Sequence, residues 1–212
     1  MNLIKKLARD NWLYLFLIGI ILLSFIIIKS TNNYESVLDL DNKVFDYFRK
    51  VAEPRKTTLM KFFTFYGNYY LPLLIIILTK LVFKDKSIWK ILLYGYIFSC
   101  LVAFFSKILV NRPRPDMFLL QAPDAYSFPS GHTLTSTCFY LTFAFTMLYK
   151  NTLSNKLIYY SAFFVLTVCI GISRIYLGVH YLTDVIGGSL IGLLCTLIVI
   201  NTTLKNNKEY IE

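Results

Sequence analysis

The sequence is poor in charge. Only 16% of its 212 residues are Asp, Glu, Lys or Arg, against about 25% in an average soluble domain. That shortage excludes an ordinary water-facing surface over most of the chain. Cysteine is scarce as well. Cys100, Cys138, Cys169 and Cys195 all lie in apolar runs and none forms a Cys-x-x-Cys pair. This spacing argues against a disulfide framework and a zinc site and leaves buried, inert thiols. There are two histidines, His132 and His180. A Walker glycine loop, a serine-elbow motif and a cluster with metal-ligand spacing are all missing, as are internal repeats and a low-complexity tail.

What is present is hydrocarbon. Hydrophobic residues make up 56% of the chain, and the mean hydropathy is +0.56. Several runs reach the ~20 residues that cross a bilayer. The first is Trp12 to Ile28, preceded by Lys5, Lys6 and Arg9. It is long for a signal-peptide core and is followed by Lys29-Ser30-Thr31-Asn32, with no small-x-small cleavage site, so a retained anchor is expected. Further spans are expected over about 60–83 (with Pro72 inside), 88–110, 131–149, 157–175 and 181–203. Pro113, Pro115, Pro123 and Pro129 keep the connector 111–128 from becoming helix. Between the first two spans, Val44, Phe45, Phe48 and Val51 recur at helical spacing, with Asp46, Arg49 and Lys50 between them. Two readings fit: an amphipathic helix on the membrane surface, or one packed over the spans. The expected fold is all-α: a polytopic membrane protein with six transmembrane helices and a short amphipathic helix after the first, forming one membrane-embedded domain over 1–212.

The formal charge of +10 would suggest nucleic acid in a soluble protein. Here juxtamembrane lysines account for much of it, and no nucleic-acid partner is expected. Six spans put both termini on one side. Lysine and arginine in the flanks number eleven on each side, so counting alone does not orient the chain. The N-terminal flank usually dominates, and Lys107, Arg112, Arg114 and Arg174 on the other side belong to a cluster with its own chemistry. The termini are therefore expected in the cytoplasm. Nothing in the sequence sets an oligomeric state.

Six-span topology brings three stretches to one face: "KILVNRPRP" (Lys107 to Pro115), "PSGH" (Pro129 to His132) and "SRIYLGVHYLTD" (Ser173 to Asp184). Both histidines fall in them. His180 and Asp184, four apart at a helix start, share one face. The carboxylate can take a hydrogen from one ring nitrogen and leave the other free to attack; alone, the pair is equally an ordinary helix-start contact. Ser130 suits an N-cap, and Gly131 permits close approach to a helix N-terminus able to bind an anion. His132 in the first turn can protonate a leaving oxygen, or simply face solvent. Lys107, Arg114 and Arg174 supply positive charge at one level, and the arginine forks match phosphate oxygens. Lys107 alone would be an ordinary snorkelling lysine. Arg112 reads as a solvated or headgroup contact. Three cations in a partly dry site repel unless an anion joins them, and a phosphoryl group is the anion that fits. The inventory points to phosphoryl transfer to water through a phosphohistidine.

These residues carry a family resemblance. Lys107, six residues, Arg114-Pro115; then Pro129-Ser130-Gly131-His132; then Ser173-Arg174, five residues, His180, three residues, Asp184. In order and spacing this resembles the type 2 phosphatidic acid phosphatase family, related to vanadium haloperoxidases. The motif core spans about 100–190. The resemblance implies His180 as nucleophile, Asp184 as its partner and His132 as proton donor. It implies Lys107, Arg114, Ser130, Gly131 and Arg174 as phosphate ligands, with no metal or other cofactor. The small six-span form is similar to bacterial members acting on phosphatidylglycerophosphate or undecaprenyl pyrophosphate at the outer face of the cell membrane. Phosphatidate and lipid A phosphates present similar ends, and the choice among them falls to connector residues such as Gln121 to Phe128. The competing functions are an anion or lipid-phosphate transporter and a non-catalytic lipid-binding relative. The first predicts binding without hydrolysis, against which two differently suited histidines speak; intact motifs speak against the second.

Overall fold

Long apolar stretches without water to bond their peptide groups close their own hydrogen bonds as helix. The computed structural model describes residues 11–29, 33–116, 119, 126–150 and 156–208, and every regular element among them is helical. In chain order these are α1 (Asn11–Lys29), α2 (Asn33–Lys50), α3 (Pro54–Tyr66), α4 (Tyr70–Val82), α5 (Ser87–Val110), α6 (Gly131–Lys150), α7 (Lys156–Tyr176) and α8 (Leu182–Lys208). Among the described residues, three helical segments are long and apolar enough to cross a membrane: Ser87–Val110, Ile158–Tyr176 and Leu182–Lys205. The pair α3 and α4 passes the same test together, and α1 carries a shorter apolar segment, Leu13–Ile26. Lys5, Lys6 and Arg9, on which the orientation leans, lie outside the described residues, as do Gln121 to Ala125.

The run expected over 60–83 is broken. Its two halves, α3 and α4, meet at 49°, and the break falls at Gly67-Asn68-Tyr69 rather than at Pro72. Pro72 sits in the first turn of α4, where the missing N–H costs nothing. Carbonyls at the break find partners elsewhere: the Tyr140 hydroxyl donates to Tyr66 O (2.7 Å) and the Tyr96 hydroxyl to Tyr69 O (2.8 Å). Gly67 is needed for close approach, since a Cβ there would lie 2.7 Å from Ile170 Cγ2.

The bundle centres on α6, which packs against α5, α7 and α8. Nearly every described side chain from Gly131 to Leu148 is buried or half-buried. This explains its many hydroxyls. A helix shielded from lipid by its neighbours need not be apolar throughout, and Thr135 and Thr146 bond back to the carbonyls of Gly131 and Thr142 at 2.9 and 2.8 Å. The small-x-x-x-small pair Gly188 and Gly192 faces α6: Cβ atoms there would lie 2.9 Å from Ser130 O and 2.7 Å from Leu134 O. The two backbones are thus in close contact at the level of the "PSGH" turn.

Helix α2 packs on α7 and α8, which favours the second of the two readings of the amphipathic segment. Phe45 is buried, and Phe48 meets the Tyr176 ring edge-on at 6.0 Å between centroids. Cys138 and Cys195 are buried, Cys100 and Cys169 half-buried, and all four are free.

Candidate active site

Local sequence chemistry shapes each arm of the site. Helix α5 ends at Asn111, which takes a left-handed conformation (φ 48°) while its N–H bonds Lys107 O at 2.9 Å. The chain then turns inward at Arg112, and the prolines that follow prevent more helix. Helix α7 ends in a Schellman arrangement: Val179 N–H donates to Arg174 O (3.2 Å) and Gly178 N–H to Ile175 O (2.9 Å). Gly178 supplies the positive φ of 77° this requires. The turn delivers His180 just ahead of α8. Asp184, in the first turn of α8, reaches back to accept the Tyr181 N–H at 2.9 Å, the carboxylate half of a capping box.

His180 and Asp184 come together as expected. His180 Nδ1 lies 3.4 Å from Asp184 Oδ2, and both side chains are buried. Nε2 faces the other way, 3.3 Å from Arg114 Nη1. Burial pushes the imidazole pKa down to about 3, with Arg174 and Arg114 adding to the shift and Asp184 opposing it. The ring is neutral near pH 7, with its carboxylate-facing nitrogen suited to carry hydrogen and Nε2 to hold a lone pair.

Ser130 is the N-cap of α6, its carbonyl accepting Leu134 N–H at 2.9 Å. Its hydroxyl accepts from Thr133 Oγ1 at 3.0 Å, and its own N–H donates to Asp184 O at 3.0 Å, tying the second motif to the third. His132 lies within electrostatic reach of Arg174, His180, Lys107 and Arg114. Lys107 donates to Tyr126 O at 2.5 Å, so it is drawn onto the connector rather than snorkelling. Arg114 donates to Val179 O at 2.7 Å. Burial lowers its pKa, against the attraction of Asp184. Arg174 is buried and donates to Thr64 Oγ1 at 2.6 Å, while its Nε has no hydrogen-bond partner among the described residues. Thus Lys107, Arg114, Ser130, Gly131, His132, Arg174, His180 and Asp184 gather at one end of the bundle.

One expectation is overturned. Arg112 is neither solvated nor at a headgroup: it is fully buried, with Nη1 2.7 Å from Asp184 Oδ1 and Nη2 2.7 Å from Asp41 Oδ2. The aromatic rings of Phe25, Tyr34 and Tyr181 surround its guanidinium at 5.1, 5.9 and 4.2 Å. Burial works against its charge, but the two carboxylates outweigh it and raise its pKa. A buried cation needs such partners, and neither lies near it in sequence.

Three further residues enter that sequence reasoning missed. Asp41, on α2, is fully buried and also accepts the Thr183 N–H at 3.0 Å. Ser127, in the connector, donates to Asp184 Oδ2. Tyr69, at the α3–α4 break, lays its ring against His132 with centroids 5.4 Å apart, and a Cβ on Gly131 would lie 2.7 Å from its hydroxyl. Asp41 did carry a signal. It sits four residues before Phe45, on the apolar face of its helix, where a carboxylate needs a partner.

Fold and site together define a multi-pass helical membrane protein with cations and two histidines gathered at one end. The model of the PAP2 superfamily matches residues 88–208, and the chain belongs to that superfamily. Among its relatives, phosphatidylglycerophosphatase B of Bacillus subtilis (strain 168) is 33% identical over 180 residues, covering 81% of this chain and 87% of its own length. An undecaprenyl-diphosphatase of Sulfolobus acidocaldarius is 29% identical over 140 residues, 63% of this chain and 64% of its own. The crystal structure of a transmembrane PAP2-type phosphatidylglycerolphosphate phosphatase from Bacillus subtilis superposes with a TM-score of 0.79 at 26% identity, covering 92% of this chain and 96% of that one. The protein is an enzyme, a phosphatase of this superfamily.

Proposed function

We propose that the protein removes phosphate from a membrane lipid phosphate, either phosphatidylglycerophosphate, undecaprenyl pyrophosphate or phosphatidate, through a phosphohistidine on His180. The observation that carries this reading is the convergence of Lys107, Arg114 and Arg174. Their charges repel one another where His180 and His132 also meet, and a phosphoryl group relieves that repulsion.

In this reading His180 Nε2 attacks phosphorus while Asp184 takes up the positive charge that grows on the ring. Lys107, Arg114 and Arg174 hold the phosphoryl oxygens, with Ser130 and Gly131 offering the N-terminal end of α6. His132 protonates the leaving lipid oxygen, then takes a proton from the water that cleaves the phosphohistidine. In the same reading the chain crosses the membrane six times, counting α1, the bent α3–α4 pair and α6 as spans, with the termini in the cytoplasm, as the dominant N-terminal flank favours, and the site on the outer face of the cell membrane. There the phosphate meets the site and the lipid tail stays in the bilayer.

The test is a phosphate-release panel with purified, detergent-solubilised protein across phosphatidylglycerophosphate, phosphatidate, undecaprenyl pyrophosphate and a lipid A phosphate. The His180→Ala variant serves as the blank. Turnover of at least one lipid well above the blank is expected; release no faster than the blank from all four would overturn the reading.

Arg174→Lys keeps the charge and loses the fork. A hydrogen bond to a charged group contributes about 1.5–3 kcal/mol, so kcat/KM should fall by about 10- to 100-fold. Wild-type kinetics in that variant would remove Arg174 from the phosphate site.

A further inference from the structure

The chemistry proposed for His180 accounts for Asp184 but leaves unexplained why a second carboxylate and a guanidinium should be buried behind it. Arg112 and Asp41 are fully buried and cannot touch a substrate, yet both sit one or two bonds removed from the nucleophile's partner. We propose that Asp41 is a positioning residue for catalysis, acting through a buried relay Asp41–Arg112–Asp184–His180. The inference rests on the phosphohistidine reading and extends it to a helix, α2, that carries none of the family motifs.

Three observations support it. First, the guanidinium is used as a bridge: Nη2 bonds Asp41 Oδ2 and Nη1 bonds Asp184 Oδ1, each at 2.7 Å. One carboxylate oxygen of Asp184 is thereby committed to Arg112, and the other is left for His180, Ser127 and the Tyr181 N–H. Rotation of the Asp184 carboxylate would break contacts on both sides, so the bridge fixes which oxygen faces the imidazole. Second, Asp41 holds the start of α8 directly. It accepts the Thr183 N–H at 3.0 Å and the Thr183 hydroxyl at 2.5 Å, while that hydroxyl also accepts from Arg112 Nη1 at 2.7 Å. Asp41 thus supplies, from another helix, a cap for the turn that carries Asp184. Third, the charges balance only when His180 reacts. With a neutral imidazole, Asp41, Arg112 and Asp184 sum to one negative charge. When Nε2 bonds phosphorus and the ring becomes cationic, the four groups, all of them buried, sum to zero. Without the Asp41 charge, Arg112 would offset Asp184 alone, and the cationic ring would lose one of the two negative charges buried behind it.

The structure therefore assigns α2 a part in the reaction as well as in packing. At metal sites, loss of an outer partner that orients a ligand costs about 10- to 100-fold in activity, and a loss of the same order is expected for a partner that orients Asp184. Asp41→Asn in the full-length protein, assayed with the lipid phosphate that wild type turns over best, should lower kcat by that factor. KM and inhibition by vanadate should be unchanged, because Lys107, Arg114 and Arg174 are intact. Rapid-quench labelling of the phosphoenzyme should slow by the same factor as kcat. Wild-type kcat in Asp41→Asn would overturn the relay. So would a fall in kcat matched by an equal weakening of vanadate inhibition, since that reports a site displaced as a whole. If the single variant fails to fold, the double variant Asp41→Asn/Arg112→Gln, which leaves the net charge unchanged and frees the Asp184 carboxylate to rotate, should show the same selective loss; wild-type turnover there would equally overturn the relay. A wild-type protein no faster than His180→Ala on every lipid would sink the hydrolase reading itself. Active wild type matched by Asp41→Asn sinks the relay alone.

Discussion

Replacing His180 with alanine is expected to abolish phosphate release from lipid phosphates while leaving the protein folded. Removal of a covalent nucleophile costs on the order of 10⁴-fold or more in kcat, because the remaining groups only bind and polarise. The fold should tolerate the change. His180 sits in the turn after α7, and the capping contacts there, Val179 N–H to Arg174 O, Gly178 N–H to Ile175 O and Tyr181 N–H to Asp184, are made without its ring. Two measurements separate the outcomes. Wild type mixed with radiolabelled lipid phosphate and quenched early should carry acid-labile label on the protein, and His180→Ala should carry none. Undiminished turnover in a folded His180→Ala variant would end the phosphohistidine mechanism for this chain.

The second large effect is on stability. Arg112→Met should destabilise the protein by about 3–5 kcal/mol, the usual consequence of removing one member of a buried ion pair and leaving its partner uncompensated. Here two carboxylates, Asp41 and Asp184, would be stranded at once, both without exposure to solvent. Methionine fills a similar volume against Phe25, Tyr34 and Tyr181, so the loss would come from charge and not from a cavity. Adding Asp41→Asn to Arg112→Met should restore part of the stability, because one stranded charge is removed. Thermal unfolding in one detergent, compared across wild type, the single and the double variant, measures both. A single variant as stable as wild type would show that the pair is not energetically coupled to the fold.

Much of the candidate site was legible because its residues lie in short, ordered stretches whose spacing already implies a face. His180 and Asp184 are one helical turn apart, and "PSGH" announces a capped helix start. The residues behind them were not legible. Asp41 and Arg112 are 71 positions apart, and nothing local distinguishes an arginine among prolines that solvates from one that is swallowed. The helix boundaries show the same division. The expected ends of α5, α6 and α7 agree with the observed ones within a residue or so, because caps and prolines are local. The break between α3 and α4, inside the single span expected over 60–83, was not legible, because it depends on hydroxyls of Tyr96 and Tyr140 from other helices donating to the freed carbonyls.

The sequence by itself determined that this chain is helical and membrane-embedded, and which residue types could handle a phosphoryl group. Hydropathy, helix caps and motif spacing act over a few residues and need no partner. Tertiary structure decided the rest: that α6 is the shielded centre of the bundle, that α2 lies over the site, and that Arg112 joins Asp41 to Asp184. The physical reason is desolvation. Whether a charge is buried, and what must then neutralise it, depends on which surfaces meet, and that is settled only when the helices pack.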